Sequence, residues 1–459
     1  MSNCRSRYSV LFAIPIIVWI YLFIGLAQRE VPSLVPTDDV EKLSQAAAFL
    51  AQQAKQDQEE IKRLIASVNR LSASISLQKA EDRNIPHIAT KRRWADPIAV
   101  VVFACNRPAA VSNLVKRLIS LRPSKEQFPI TISQDCNNIA VQRAVAEFRD
   151  EVQYVKHKSA QEAHVVVPKN HHRFATYYYI ARHYKLALEH VFDTLGHNSA
   201  ILLEDDLDIA VDFFEYFLAT RYLLDEDPTL FCVSAWNDNG KVENIDAQAS
   251  SLLYRTDFFP GLGWMMTSQL WKEIQPKWPN GFWDDWLREP ENRKGRQCIR
   301  PEISRTGMTP SGKKGASKGL FFDKHLAKVV LNVANVPFTT MNLDYLLNPA
   351  YNNSFNEDVY LNSVLMSIDD AITFANQKNT ARRSIRVEYT GNIDFIIKAD
   401  KLHVMHDFKA GVPRTAYEGV VPCFINGVRI FLVPDRTHVK EYDRSWVVPP
   451  EFDRKRPNK

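Results

Sequence analysis

The sequence predicts an α/β fold, with a mainly parallel sheet followed by a smaller α+β C-terminal domain and preceded by a transmembrane helix and a helical stem. Three observations predict it. Ile98-Ala99-Val100-Val101-Val102-Phe103-Ala104 is apolar and β-branched without alternation, the pattern of a strand buried on both faces. Strand-like runs then alternate with helical periodicities as far as residue 206. Charged residues fall just past the ends of those runs, where open α/β sheets build their sites.

Residues 9–27 carry no formal charge and are dominated by Val, Ile, Leu, Phe and Tyr, enough for a short membrane span. Arg5 and Arg7 precede the span, while Arg29 and Glu30 nearly cancel after it. The positive-inside rule therefore predicts a cytoplasmic tail (1–8), a signal-anchor (9–27) and the remainder across the membrane. Gly25-Leu26-Ala27 also allows the rival reading of a cleaved signal peptide. Residues 28–95 read as a stem. Ile61, Leu64, Val68, Leu71 and Ile75 alternate three- and four-residue steps, the seam of a short coiled coil or of a solvated helical linker. A coiled coil would space the head from the membrane and give a route to a homodimer.

The predicted catalytic domain runs from 96 to 330. After the first strand, Asn106-Arg107-Pro108 forms a turn, and Val111, Leu114, Val115, Leu118 and Ile119 mark a helical face. Pro129-Ile130-Thr131-Ile132-Ser133 is a second strand, ending at Gln134-Asp135. Val152-Gln153-Tyr154-Val155 is a third, and residues 177–192 are a long helix. Ile201-Leu202-Leu203 then runs into Glu204-Asp205-Asp206. Three adjacent carboxylates repel one another unless something cationic offsets them. Hard divalent ions prefer such oxygens, so the triplet is a candidate metal–nucleotide site. Acids after a strand can equally cap the next helix, here the one holding Phe213 and Phe214.

Phe258-Phe259-Pro260-Gly261-Leu262-Gly263-Trp264 is aromatic, with glycines that admit close backbone approach. Phe282-Trp283-Asp284-Asp285-Trp286 sets two carboxylates among aromatic rings, where a carboxyl pKa can rise into the range of a general base. The bland reading is core aromatics with capping acids. Residues 307–319 are rich in Gly, Ser and Lys; Lys313, Lys314 and Ser317 suit either a lid over a diphosphate or a mobile surface loop. From 331 to 459 the chain reads as the smaller domain, with strands at Val387-Glu388-Tyr389-Thr390, Gly419-Val420-Val421 and Arg429-Ile430-Phe431-Leu432-Val433 and a turn at Asn426-Gly427. Asp344 and His406 read as structural.

Composition excludes several classes. Lys plus Arg number 58 against 53 Asp plus Glu, a net +5 with no basic run, so nothing indicates nucleic-acid binding. Neither GxGxxG nor GxxxxGK[ST] follows the first strand, which argues against dinucleotide and P-loop enzymes. No Cys/His spacing indicates zinc. Five of the six cysteines would face an oxidising lumen. Cys105 and Cys136 each follow a predicted strand and can lie side by side. Cys232 and Cys298 are the next plausible pair and Cys423 is left over, with connectivity open at this point.

Several motifs together carry a resemblance. Ser133-Gln134-Asp135-Cys136, Tyr178-Tyr179-Ile180-Ala181-Arg182-His183-Tyr184, Glu204-Asp205-Asp206, Val233-Ser234-Ala235-Trp236-Asn237-Asp238-Asn239-Gly240, the 258–264 and 282–286 runs, and Arg300-Pro301-Glu302-Ile303-Ser304-Arg305-Thr306 resemble the N-acetylglucosaminyltransferase I family. The resemblance implies a GT-A-like, nucleotide-sugar-binding fold and a Mn²⁺-dependent inverting transferase. Its donor would be UDP-GlcNAc and its product a β-1,2 linkage on the α-1,3-linked mannose of oligomannose N-glycans. It implies a single-pass type II Golgi membrane protein with a lumenal catalytic domain. Asp206 would bind the metal, Asp205 the donor, and Glu204 would lie near the sugar. Arg107, Asp135 and His183 would hold the nucleotide, Ser317 would sit in a closing loop and Asp284 would be the base. The residues themselves do not separate Asp284 from Asp285. The disulfides implied are Cys105–Cys136 and Cys232–Cys298. A protein O-mannose β-1,2-N-acetylglucosaminyltransferase is the near alternative, and a catalytically silent membrane-anchored lectin or scaffold the distant one.

Overall fold

The computed structural model describes residues 96–316, 319, 321–377 and 384–449. The chain divides into two units, Met1–Ala89 and Thr90–Lys459. The tail, anchor and stem assigned to residues 1–95 lie outside the described residues, as does Ser317. Among the described residues no helix is long and apolar enough to cross a membrane.

Ten strands organise the first part of the second unit. They are β1 (Ala99–Ala104), β2 (Ile130–Gln134), β3 (Gln153–Lys156), β4 (Ser199–Glu204), β5 (Leu207–Ile209), β6 (Leu230–Ser234), β7 (Leu253–Thr256), β8 (Trp264–Thr267), β9 (Gln297–Pro301) and β10 (Thr306–Met308). Eight of them form one sheet in the order β3-β2-β1-β4-β8-β6-β9-β7. Four neighbouring pairs are parallel (β3–β2, β2–β1, β1–β4 and β6–β9), and those of β8 with β4 and β6 and of β7 with β9 are antiparallel. The sheet is thus mixed, with its parallel half first in the chain.

The unbroken apolar pattern of β1 has a direct cause. Val100, Val102 and Ala104 pack into one buried cluster with Val111, Leu114 and Leu118 of the Pro108–Leu121 helix. Ala99, Val101 and Phe103 pack into another with Ala181, Tyr184 and Leu188 of the Ala175–Leu188 helix. Both faces of β1 are covered, so no position is left for a polar residue.

The remaining strands are β11 (Ser363–Leu365), β12 (Ser384–Tyr389), β13 (Phe408–Lys409), β14 (Val412–Pro413), β15 (Val421–Ile425) and β16 (Val428–Pro434). Four of these make the sheet β11-β12-β16-β15, covered by the Ile368–Ala375 and Asn392–Lys401 helices. Its β15–β16 hairpin turns at Asn426-Gly427, both with positive φ (49° and 91°), as that dipeptide predicts. Phe431 and Val433 of β16 share the cluster that contains Val100, and so do Phe338, Leu346 and Phe355. Asp344 accepts from the Tyr222 hydroxyl (2.8 Å) and His406 faces Asp400 (2.5 Å), both structural contacts.

Arg305 locks the join between the sheet and the segment after it. Its Nε and Nη2 donate to Asp212 Oδ2 (3.2 and 2.9 Å), Asn332 Nδ2 donates to Asp212 Oδ1 (2.9 Å), and both charged side chains are wholly inaccessible. Removing one partner of such a pair strands the other charge in a dry interior. Arg305→Met is expected to lower unfolding free energy by about 3–5 kcal/mol in urea titrations. A loss under 1 kcal/mol would show that the pair adds nothing to the join.

Candidate active site at the carboxyl ends of the strands

The parallel half of the sheet aims three loops the same way. Phe103 of β1 is in register with Glu204 of β4, and Ala104 with Gln134 of β2. Arg107, Asp135 and the acidic triplet therefore emerge at one edge. The disulfide Cys105–Cys136 ties the first two loops together (Cα–Cα 4.9 Å). Cys232–Cys298 joins neighbouring residues of β6 and β9, and Cys423 is a buried free thiol. Both pairings agree with the sequence reading.

The triplet does not cap the next helix; β5 intervenes, and Asp212 precedes the Phe213–Thr220 helix. The cation that offsets the triplet within the chain is Arg107. Its Nη1 donates to Asp206 Oδ2 (2.9 Å), its Nη2 pairs with Asp205 Oδ1, and Nη1 also reaches the Ser311 carbonyl (3.1 Å). Burial, with Asp206 beside it, pushes the Glu204 carboxyl up to about 8. Burial pushes Asp205 up to about 6 against the pull of Arg107. Asp206 Oδ1 is buried and has no hydrogen-bond partner among the described residues. A buried, unpartnered carboxylate oxygen beside two further acids fits a hard divalent cation. Cys105, Asp135 and Cys136 also bring ligand-type atoms together, but both sulfurs are bonded to each other and supply no thiolate.

Asp135 and His183 form a buried pair. Burial raises Asp135 to about 6 and lowers His183 to about 3, so near neutrality their 3.3 Å approach sets a mostly ionised carboxylate beside an uncharged imidazole. Ser133 Oγ lies 3.0 Å from both His183 Nε2 and His157 Nε2.

An aromatic ladder joins this edge to the second acidic motif. Tyr184 stacks between Phe103 and Trp283, with ring centroids 3.9 and 4.2 Å away, and its hydroxyl donates to Glu204 Oε1 (3.0 Å). Trp283 opens the Trp283–Arg288 helix and so carries Asp284 and Asp285 towards the triplet. The preceding Phe282 has a left-handed backbone (φ 54°), a costly state for an aromatic residue that aims the helix start. One Arg288 nitrogen, Nη1, lies 2.8 Å from Asp284 Oδ2 and 2.8 Å from Asp285 Oδ1. Lys409 of β13 adds a second cation, 3.0 Å from both oxygens of Asp285.

Burial therefore does not make both acids basic, as the aromatic context of the motif suggested. It pushes Asp285 up, but Arg288 and Lys409 outweigh it and hold that carboxyl below its ordinary value.

A cavity of about 370 Å³ collects these parts. Glu204, Asp206, Asp284, Asp285, Arg288 and Lys409 line it, with Phe174, Tyr177 and Phe282 on one wall and Gly312, Gly315 and Ala316 on another. Arg107, Asp135, His183 and Asp205, the middle acid of the triplet, are not in that lining. Lys313 pairs outward with Asp323 (2.9 Å). Gly263 keeps the aromatic loop close. Its φ is 91°, and an added Cβ would meet Thr306 Cγ2 at 2.5 Å. Sequence reasoning missed Arg288, Lys409 and Tyr184 as parts of the site. Arg288 carried a signal, since it stands three and four residues after the two acids, one face of a helix. Lys409 carried none.

The model of the GNT-I family matches residues 9–446. An alpha-1,3-mannosyl-glycoprotein 2-beta-N-acetylglucosaminyltransferase from Arabidopsis thaliana is 39% identical over 340 residues, 73% of this chain and 74% of that one. Solved structures align more loosely. A mannosyltransferase from Pyrobaculum calidifontis in complex with GDP-Man and Mn²⁺ is 14% identical over 52% of this chain and 68% of its own, with a TM-score of 0.32. Staphylococcus aureus TarS in complex with UDP-GlcNAc is 10% identical over 57% and 73%, also at 0.32.

Proposed function

This chain belongs to the GNT-I family, and on that premise we propose transfer of GlcNAc from UDP-GlcNAc, in β-1,2 linkage, to the α-1,3-linked mannose of a five-mannose N-glycan on glycoproteins. The observation that carries the mechanism is one cavity lined by Glu204, Asp206 and Asp284 together. Asp284 takes the proton from the mannose 2-hydroxyl as that oxygen attacks the anomeric carbon. The bond to UDP breaks in the same step and UDP leaves, so the configuration inverts. Retention would call for a nucleophile on the opposite face of the sugar, by analogy with glycosidases.

Asp206 would hold Mn²⁺, which when bound would supply positive charge against the diphosphate of the leaving group. Asp205 and Glu204 orient the donor. Arg107, Asp135 and His183 serve its nucleotide end. Arg107 gains a second role from its ion pairs, since it holds Asp205 and Asp206 in place before any cation arrives. Ser317 acts in the segment that closes over the donor and excludes water. Residues 9–27 anchor the protein in the Golgi membrane as a type II chain, and residues 28–95 form a stem through which two copies can pair.

The test uses the full chain in mild detergent with UDP-GlcNAc and a five-mannose N-glycan, with Mn²⁺ or with EDTA. The expected result is a mass gain of one N-acetylhexosamine that requires Mn²⁺. Transfer to an O-mannosyl peptide alone would replace the acceptor. Neither transfer nor donor hydrolysis from a folded protein would leave a silent binding protein.

A further inference from the structure

The Asn237-Asp238-Asn239 motif and the C-terminal hairpin have no place in the mechanism above, yet the structure ties them together. Asn239 grips residues 405–415 at both ends: its Oδ1 accepts from the Met405 amide (2.8 Å) and its Nδ2 donates to Thr415 Oγ1 (3.0 Å). Beside it, Asp238 accepts from Arg414 Nη1 (2.6 Å), while Arg414 Nε bonds both oxygens of Asp407 (2.9 and 3.0 Å). The Arg414 guanidinium also lies over the Phe258 ring, 4.9 Å from its centroid. The β13–β14 hairpin between these anchors has little freedom, and its Lys409 meets Asp285 in the cavity.

We propose that Lys409 is a positioning residue that assigns the base. By engaging Asp285 alone, it leaves Asp284 as the carboxylate free to take the acceptor proton, and the Asn237–Asn239 loop is the clamp that delivers it. This rests on the reading of Asp284 as base.

The argument is one of charge count. Asp284 and Asp285 share one Arg288 nitrogen, so by themselves they would compete for a single cation and divide a proton between them. Among the described residues Lys409 pairs with Asp285 and with no oxygen of Asp284, which breaks that tie, while Asp407 also feels its charge. Tyr177 and Tyr184 of the Ala175–Leu188 helix also face the pair, and Asp407, held by Arg414, faces Lys409. Burial first, and these carboxylates second, hold the Tyr177 hydroxyl protonated, so it adds no charge near neutrality.

The test compares Lys409→Met with Lys409→Arg in the full chain. Kinetics are measured from pH 5 to 8, alongside Asp284→Asn and Asp285→Asn. Loss of the cation raises the titration of the acid pair, so the acid limb of the kcat profile should move to higher pH in Lys409→Met. The value of kcat near neutrality should fall several-fold, with KM for UDP-GlcNAc unchanged. Lys409→Arg should return the limb towards its original position. An unmoved limb with a raised donor KM would overturn the proposal and make Lys409 a donor ligand. An unmoved limb with unchanged kinetics would show a surface ion pair only. If Asp285→Asn is dead while Asp284→Asn turns over, the base assignment itself fails, whatever Lys409 does. Lys409 is partly exposed, so the variants should fold, which thermal unfolding verifies.

Discussion

Asp284→Asn should lower kcat by about 1,000-fold while leaving UDP binding unchanged, within the 10²–10⁴ range that general-base catalysis contributes. The substitution keeps the shape of the side chain and removes its capacity to accept a proton. Little else should change. Arg288 retains Asp285 at 2.8 Å, Trp283 retains its stack on Tyr184, and the helix keeps Leu287 in the core. On the proposed reading donor contacts belong to the triplet and the loops of β1 and β2, so calorimetric titration with UDP should match wild type. A variant with more than a tenth of normal turnover would exclude Asp284 as base. A variant that also fails to bind UDP would mean the two acidic regions are coupled through Tyr184, whose hydroxyl touches Glu204 while its ring touches Trp283.

That coupling shows where sequence reading succeeded and stopped. β1 and β4 were legible because helices cover both faces, and full burial writes a continuous apolar run. The triplet was legible because three adjacent acids after such a run are electrostatically costly without a partner. The antiparallel half was not legible as strands. β8 is Trp-Met-Met-Thr, only four residues without a β-branched run, and its character comes from pairing with β4 and β6. Cys105–Cys136 followed from two strand ends that can lie side by side, whereas Cys232–Cys298 joins the interiors of β6 and β9 and was legible only as the next plausible pair.

The choice between Asp284 and Asp285 could not follow from a pentapeptide. In the proposal above Lys409 separates them from 124 residues away, on a strand two residues long, through a loop held by Asn239 and Arg414. Local propensity carries no trace of such a contact; only the packed fold creates it. Arg107 teaches a related lesson. Its position at the end of β1 was readable, whereas its pairing with Asp205 and Asp206 depends on how far β1 and β4 carry their loops.

Asp206→Ala is expected to abolish the Mn²⁺ dependence of UDP binding and to weaken that binding by at least about 100-fold. Loss of a partner outside the metal's own ligands typically costs 10–100-fold, and a direct ligand should cost no less. The fold should tolerate the change. The Asp206 main chain, not its carboxylate, ties β5 and β10 into the site: its carbonyl accepts from both the Thr309 amide and the Thr309 hydroxyl, each at 2.8 Å. Arg107 loses one partner but keeps Asp205, so no buried cation is stranded. The carboxylate removed has an unpartnered buried oxygen, as does that of Asp205, and a group built only for stability would not leave that atom unsatisfied. Calorimetry of UDP with and without Mn²⁺ decides the matter. Normal Mn²⁺-dependent binding by the variant would move the cation to Asp205 or Glu204 and reduce Asp206 to a counter-ion for Arg107.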